Sequence, residues 1–579
     1  MYDILLILVK RVISMKKNLK YYDATHFRNL KELVENSVSK YKNKIAFMVK
    51  NKNGEIKNIT YEEFKNDIDG LGTELINMGL KGKRVAIIAN NCYEWVVSYL
   101  AIMNGVGIVV PLDKGLPTEE IIMSLERSKA DAIIYDVKHI EDMQKVKERN
   151  KNIKYYISIG KEETDDLGFE NVVNRGKEAL KRGKMDYLNA EIDNEKMGVI
   201  LFTSGTTSKA KAVMLSHKNI AENVYSLNCR EKIYDTDVSL AFLPLHHTFG
   251  LTGILFFLSN GAANAFCDGL RHIQKNMKEY QVSVFVGVPL LLEGMHKKII
   301  QEIEKKGKTK LINIMKKITK LLLKIGIDIR RKVFKQIIDS LGGKIRFVVS
   351  GAAAIDKNVA EDFNAFGILT VQGYGLTETS PVLLAEDEKN IKYGSVGLPI
   401  ENVEIKIDNP NGEGIGEIIA KGPNVMLGYY EDEKATNEVF KDGWFYTGDL
   451  GYKDKDGFIF ITGRKKNVIV LKNGKNIYPE EIEIQVNNLI YVTESMVFGT
   501  PKGDDLLLSA KIVYSPEYEE FKTMTKEKIE NKIWNDIKKL NQGFPSYKHI
   551  KKIIVTNEPM IKTTTQKIKR FEEIKKIDE

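Results

Sequence analysis

Tyr374-Gly375-Leu376-Thr377-Glu378-Thr379-Ser380-Pro381 packs an aromatic ring, hydroxyls and one carboxylate into a short turn near the middle of a 579-residue chain. Upstream, Ser350-Gly351-Ala352-Ala353 follows an apolar strand-like run. Further upstream, Thr203-Ser204-Gly205-Thr206-Thr207-Ser208-Lys209-Ala210-Lys211 follows another. Downstream come Tyr446-Thr447-Gly448-Asp449, Thr462-Gly463-Arg464-Lys465-Lys466 and Thr563-Thr564-Thr565-Gln566-Lys567-Ile568-Lys569-Arg570. Strand-like runs at 85–89, 107–110, 131–135, 155–159, 198–202, 282–286 and 345–349 mostly alternate with helical stretches. Buried apolar strands separated by helices argue for largely parallel α/β sheets. From 403 to 461, short strands bounded by Asn-Gly, Asp-Gly and Gly-Pro turns read as a β-rich subdomain. The stretch after Lys466 is long enough to fold by itself as α+β.

The loop at 203–211 lacks bulk, so backbone N–H groups can approach phosphate oxygens; its hydroxyls add donors, and Lys209 and Lys211 add charge. It is not a Walker A loop. A length of 579 residues predicts two to four domains, and 43% apolar with 29% charged residues excludes wholesale disorder. Cys92, Cys229 and Cys267 are widely spaced, without the pairing expected of zinc or redox motifs, and fit a cytoplasmic protein. The apolar run 4–9 is too short for a signal core or a membrane span, and residues 1–14 are taken as an uninformative extension.

The net charge of +10 is local: residues 296–335 hold fourteen Lys/Arg against three acids, which leaves the rest of the chain at −1. No aromatic-interleaved basic sheet accompanies this segment, so nucleic-acid binding is not expected. Within it, Leu311, Ile314, Met315, Ile318, Leu321, Leu322 and Ile325 recur at helical spacing in a stripe roughly 120° wide. Lys310, Lys316, Lys317, Lys320 and Lys324 fall outside the stripe. The pattern fits either a surface helix packing its stripe on the body or, over 308–335, peripheral contact with an anionic membrane.

Taken together and in this order, the motifs resemble those of the adenylate-forming (AMP-binding) superfamily: acyl-CoA synthetases, luciferases and peptide-synthetase adenylation domains. The resemblance covers residues 44 to 570. It implies an N-terminal adenylation domain (1–464) of two mostly parallel α/β subdomains plus a β-rich barrel-like subdomain. A mobile α+β C-terminal domain (465–579) follows, hinged at Lys466. By the same resemblance Thr203, Ser204, Gly205, Thr206, Thr207 and Lys211 cradle the phosphates of ATP, and Gly351 and Ala352 lie along adenine. Tyr374 and Gly375 continue that adenine site, Thr377 meets the α-phosphate, Glu378 holds Mg2+, Asp449 and Arg464 hold the ribose, and Lys475 contacts phosphate. His247, in Pro244-Leu245-His246-His247-Thr248-Phe249-Gly250, would sit near the carboxylate and the thiol path. A metal role for the His pair is not expected, because adjacent side chains on a strand face opposite ways.

Lys567 would stabilise the negative charge that develops on the α-phosphate during adenylation. Departures from the family pattern are Ser208, Ala210 and Ala212 in the first loop, and Gln566 before the lysine. The implied activity is AMP-forming ligation of a carboxylic acid, of the long-chain fatty acid type, to coenzyme A. A carrier-protein thiol is the alternative acceptor, as in acyl-ACP synthetases. Because no carrier domain follows Glu579, a multimodular synthetase is not expected. The expected location is the cytoplasm, with peripheral contact on the inner face of the membrane.

Overall fold

The computed structural model describes residues 22–51, 53–160, 166–203, 210–471, 475–502, 505–563 and 567–578. The N-terminal run 4–9, the loop residues Ser204, Gly205, Thr206 and Thr207, and Gln566 lie outside them.

Two large sheets form the body. In the first, strands Lys83–Ile88, Gly107–Pro111, Ala132–Asp136 and Tyr155–Ile159 run parallel, and their apolar residues are buried. Continuous Val/Ile runs suit strands covered on both faces by helices. Its edge turns antiparallel: Met197–Thr203 and Lys211–Ser216 form a hairpin with Thr203 opposite Lys211. The short strand Gly428–Tyr429 pairs beside it with Met214 and Val213.

The second sheet runs parallel through Val238–Ala241, Val284–Gly287, Phe347–Ser350 and Leu369–Gly375. It then folds back antiparallel onto Val382–Ala385. That return fixes Gly375, since a Cβ there would lie 1.8 Å from the Pro381 carbonyl oxygen.

The third unit is a five-stranded antiparallel sheet. Its strand Trp444–Lys453 pairs with three others, which makes this the β-rich subdomain that was expected. Along Trp444–Lys453 burial alternates with period two, and Asp449 falls on the inner side with Phe445 and Thr447.

The C-terminal domain is α+β. Val492–Lys502 and Asp505–Tyr514 pair antiparallel, and Lys552–Thr556 joins them parallel. With helices Pro479–Asn487 and Lys526–Asn541 they enclose a core of their own that includes Ile482, Val486, Ile512 and Ile533.

The basic segment forms the helix Thr309–Lys324, whose orientation corrects one expectation. Its inward line runs through Ile312, Met315, Lys316 and Thr319, so of the apolar stripe only Met315 and Leu322 are half-buried. Leu311, Ile314, Ile318, Leu321 and Ile325 are 54%, 55%, 44%, 65% and 68% exposed. Lys316, grouped by periodicity with the outer lysines, instead pairs with Asp362 at 2.5 Å over the Phe366 ring. The helix carries apolar residues on two sides, and spacing alone does not decide which side packs.

Candidate functional site

Asp449 stands directly across the antiparallel pair from Arg464, the last residue of the strand Ile459–Arg464. Arg464 Nε donates to Asp449 Oδ1 at 2.8 Å, and the Tyr374 hydroxyl donates to Oδ2 at 2.7 Å. The Asp449 backbone N–H donates to Thr447 Oγ1 at 3.1 Å, and Thr447 in turn donates to the Ile418 carbonyl at 2.7 Å. The carboxylate is thus buried and oriented. Burial and the Asp449 charge push the Tyr374 phenol well above its ordinary pKa, so it stays a donor.

Thr377 opens the short 3-10 turn Thr377–Thr379, and Thr379 braces it by accepting from the Leu376 N–H at 3.0 Å. Glu378 Oε1 accepts from the Tyr429 hydroxyl at 3.0 Å. Lys211 stands over the Tyr429 ring, 4.4 Å from its centroid. Tyr429 thereby joins the Lys211 edge of the hairpin to Glu378. Nothing in its local sequence marked it: it belongs to a plain Gly-Tyr-Tyr run. A carboxylate oriented by one hydroxyl is a hard oxygen donor of the sort that suits Mg2+ between phosphates.

Gly351 and Ala352 end the strand Phe347–Ser350. A Cβ at Gly351 would lie 2.7 Å from Cζ of Phe249, so that ring fills the place of a side chain. Ala352 has φ +71°, a left-handed conformation that costs a non-glycine residue about 1–2 kcal/mol and is often retained at functional sites.

Lys567 arrives from the C-terminal domain. The Thr563 N–H donates to the Lys567 carbonyl at 2.8 Å, and the Lys567 N–H to Thr563 Oγ1 at 3.2 Å. Lys562 and Arg570, its basic neighbours, pair inside their own domain with Glu494 and Glu483. Lys567 instead comes under the charges of the cleft. Crowding by protein atoms lowers its pKa first; Arg464 adds to that, Asp449 and Glu378 oppose it, and Lys466 lowers it further. The side chain keeps solvent contact because the cleft is open, yet the ammonium stands among these groups. Burial likewise lowers Lys466, with Arg464 and Lys211 adding to the effect. Four cationic side chains thus gather around Asp449 and Glu378, a field suited to a polyphosphate. Lys475 is exposed and lies 4.3 Å from the centroid of the Tyr547 ring.

His246 and His247 correct a second expectation. They occupy a turn rather than a strand, with His247 capping the helix Thr248–Ser259, and their ring centroids are 4.3 Å apart. Asp113, just past the end of the strand Gly107–Pro111, brings a carboxylate so that the ligand atoms of all three lie within 4.8 Å of one another. Strand ends in α/β sheets are where ligand-facing groups collect, which was the available signal for Asp113. Burial, and then His246, push the His247 imidazole down to about 3, so it is neutral at physiological pH. The pair borders a cavity of about 10 Å³ among Leu215, Ile220, Leu251 and Thr252, room for one water.

Residues 34–430 match the AMP-binding enzyme family, and residues 466–577 match the AMP-binding enzyme C-terminal domain. The chain belongs to the AMP-binding enzyme family. It is similar to long-chain-fatty-acid–CoA ligase 5 of Mus musculus, 32% identical over 89% of this chain and 82% of the relative. A long-chain-fatty-acid–[acyl-carrier-protein] ligase of Arabidopsis thaliana is 25% identical over 94% of this chain and 85% of its own. Among solved structures, an anthranilate CoA ligase in complex with anthranoyl-AMP superposes with a TM-score of 0.77 at 20% identity, covering 95% of this chain and 97% of the other. At that identity the likeness establishes the fold.

Proposed function

We propose that this enzyme uses ATP to activate a long-chain fatty acid and passes the acyl group to the thiol of coenzyme A. A carboxylate oxygen attacks the α-phosphorus, and the bond to pyrophosphate breaks, giving acyl-AMP. The thiol sulfur then attacks the acyl carbon, loses its proton, and AMP departs with the C–O electron pair. The observation that carries this reading is the entry of Lys567 into a cleft already holding Glu378, Asp449 and Arg464. A basic tail with no role would stay with its own domain, as Lys562 and Arg570 do.

In this reading Tyr374, Gly375, Gly351 and Ala352 hold adenine, Asp449 and Arg464 the ribose, and Thr377, Thr203, Ser204, Gly205, Thr206, Thr207, Lys211 and Lys475 the phosphates. Lys567 stabilises charge developing on the α-phosphate. Mg2+, held by Glu378, neutralises phosphate charge when bound. His247 offers a neutral nitrogen beside the path of the thiol. The domain boundary falls at 464/465, and the C-terminal domain (465–579) swings about Lys466 between the two half-reactions. Pyrophosphate release across a panel of acids, with coenzyme A or an acyl carrier protein as acceptor, tests this. Product with the carrier protein alone would favour the alternative acceptor, for which the plant relative is a precedent in name.

The outward row on the helix Thr309–Lys324 supports a cytoplasmic enzyme that docks on the inner face of the membrane. No helix among the described residues is long and apolar enough to cross a membrane. Lys310, Lys317 and Lys324 stand exposed beside the apolar row, and each contributes about 1 kcal/mol of attraction to anionic lipid, screened by salt. Changing these three to Gln releases the protein from anionic vesicles in co-sedimentation. An unmodified protein that ignores such vesicles at low salt refutes the docking.

A further inference from the structure

We infer that Lys297 and Asp356, both outside the cleft, are positioning residues that hold the C-terminal domain in the orientation delivering Lys567. The inference rests on the hinge reading above and adds the residues that bias it.

Lys297 lies on the helix Pro289–Lys305 of the large domain. Its ammonium donates to the carbonyls of Asn487, at 2.9 Å, and Val492, at 2.8 Å, both in the C-terminal domain. Asn487 is the last residue of the helix Pro479–Asn487, where carbonyls lack partners within the helix and the negative end of the dipole emerges. A cation there satisfies orphan acceptors and favours the dipole at once. Asn488, the next residue, donates through Nδ2 to Asp356 Oδ2 at 2.9 Å.

The large-domain side of this contact is rigid. Asp356 is buried and caps the helix Lys357–Ala365, its Oδ1 accepting from the Asn358 N–H at 2.8 Å and the Val359 N–H at 3.3 Å. The other oxygen is the one that reaches Asn488. The Asp356 N–H donates to Glu293 at 3.3 Å, one helical turn from Lys297, which ties the two anchors together. Asp356 also follows closely on the turn that begins at Gly351, so the contact is built on the frame that carries the adenine side of the cleft.

Two of the three acceptors are backbone carbonyls, which explains why no motif announced the contact. In sequence Lys297 is one of fourteen basic residues in its segment. These hydrogen bonds exist with Lys567 in the cleft and break if the domain turns away. An interaction made in only one of two states shifts the population toward it by its full differential strength. Lys297 and Asp356 therefore favour adenylation and oppose thioester transfer.

Lys297→Met keeps the aliphatic stem and removes the donor; Asn488→Ala removes the second bond from the other side. On the full chain, two rates are measured in single turnover: pyrophosphate release from ATP and acid, and thioester formation from supplied acyl-AMP and coenzyme A. Adenylation falls about tenfold or more in Lys297→Met, in line with loss of charge-assisted bonds. Thioester formation holds or rises, Asn488→Ala moves the ratio the same way, and Lys297→Arg restores it. Equal loss in both half-reactions, or no change in their ratio, overturns the inference. The hinge reading is tested separately by Lys567→Ala. If that variant loses adenylation while Lys297→Met leaves the ratio alone, only the latch fails; if Lys567→Ala adenylates normally, both fail.

Discussion

Replacing Lys567 by Ala removes a cation whose ammonium stands among Arg464, Asp449, Glu378 and Lys466. Two unit charges about 4 Å apart interact by about 4 kcal/mol at the effective dielectric of a protein surface and by about 1 kcal/mol in bulk water. Lys567 is exposed, so solvent screens the pairwise figure toward its lower end, and the magnitude is set instead by the loss of one electrostatic stabiliser of the transition state. Arg464 and Lys466 remain in the variant and offset part of the loss. A barrier increase of about 3 kcal/mol follows, or roughly a hundredfold slower adenylation. Single-turnover pyrophosphate release measures it, while supplied acyl-AMP with coenzyme A reports the second half-reaction, which should proceed. The cation is needed, so adenylation by the parent falls as pH rises through the lowered pKa of Lys567, and the variant lacks that alkaline limb. Equal loss in both half-reactions, or an adenylation rate within about threefold of the parent, refutes the electrostatic role.

Glu378→Gln should weaken Mg2+-dependent ATP binding and spare adenosine, whereas Asp449→Ala should weaken adenosine itself; calorimetry with and without Mg2+ separates them, and equal losses of adenosine affinity contradict the division. His217 is held down at about 4 by burial, and its Nδ1 faces the Leu30 N–H at 3.4 Å. With the folded value depressed below the ordinary 6.5, stability is intact above about pH 6.5 and drains by up to about 1.4 kcal/mol per pH unit down to about pH 4; His217→Asn flattens this limb in denaturant titrations, and an unchanged slope rejects the assignment. Gly351→Ala sets a Cβ 2.7 Å from the Phe249 ring and should cost about 1–3 kcal/mol in unfolding experiments, partly recovered by Phe249→Leu; a neutral substitution would show that the ring moves freely.

The parts of the site legible in sequence are those in which one short segment carries both the strand end and its chemistry. Tyr374 to Glu378 and Thr447 to Asp449 are such segments, and Arg464 ends a strand paired with the latter. Sequence failed where chemistry is assembled across distance. Asp113 follows a strand of the first sheet and His246 a strand of the second, and Tyr429 reaches Glu378 from an edge strand whose pairing no local pattern specifies. The His pair was misread because its backbone was taken for a strand. In the basic helix the period was right and the facing was left open, since a 3.6-residue repeat locates a stripe without saying what covers it. Lys297 was hidden for a different reason: its partners are carbonyls, which every residue has.

The Phe249 ring has a consequence for how the two substrates meet. It belongs to the second residue of the helix that follows His247, on the acyl side in the function proposed above, and it occupies the space beside Gly351, which that proposal sets along adenine. In that proposal one ring is a wall of both compartments. If ATP narrows the positions open to that ring, the acid meets a pocket already set, and the acid prepares the adenine turn in the same way. Thermodynamic coupling of this sort is reciprocal: the factor by which ATP tightens the acid equals the factor by which the acid tightens ATP. Removing the ring should bring both factors toward one together, leaving two substrates that bind as strangers.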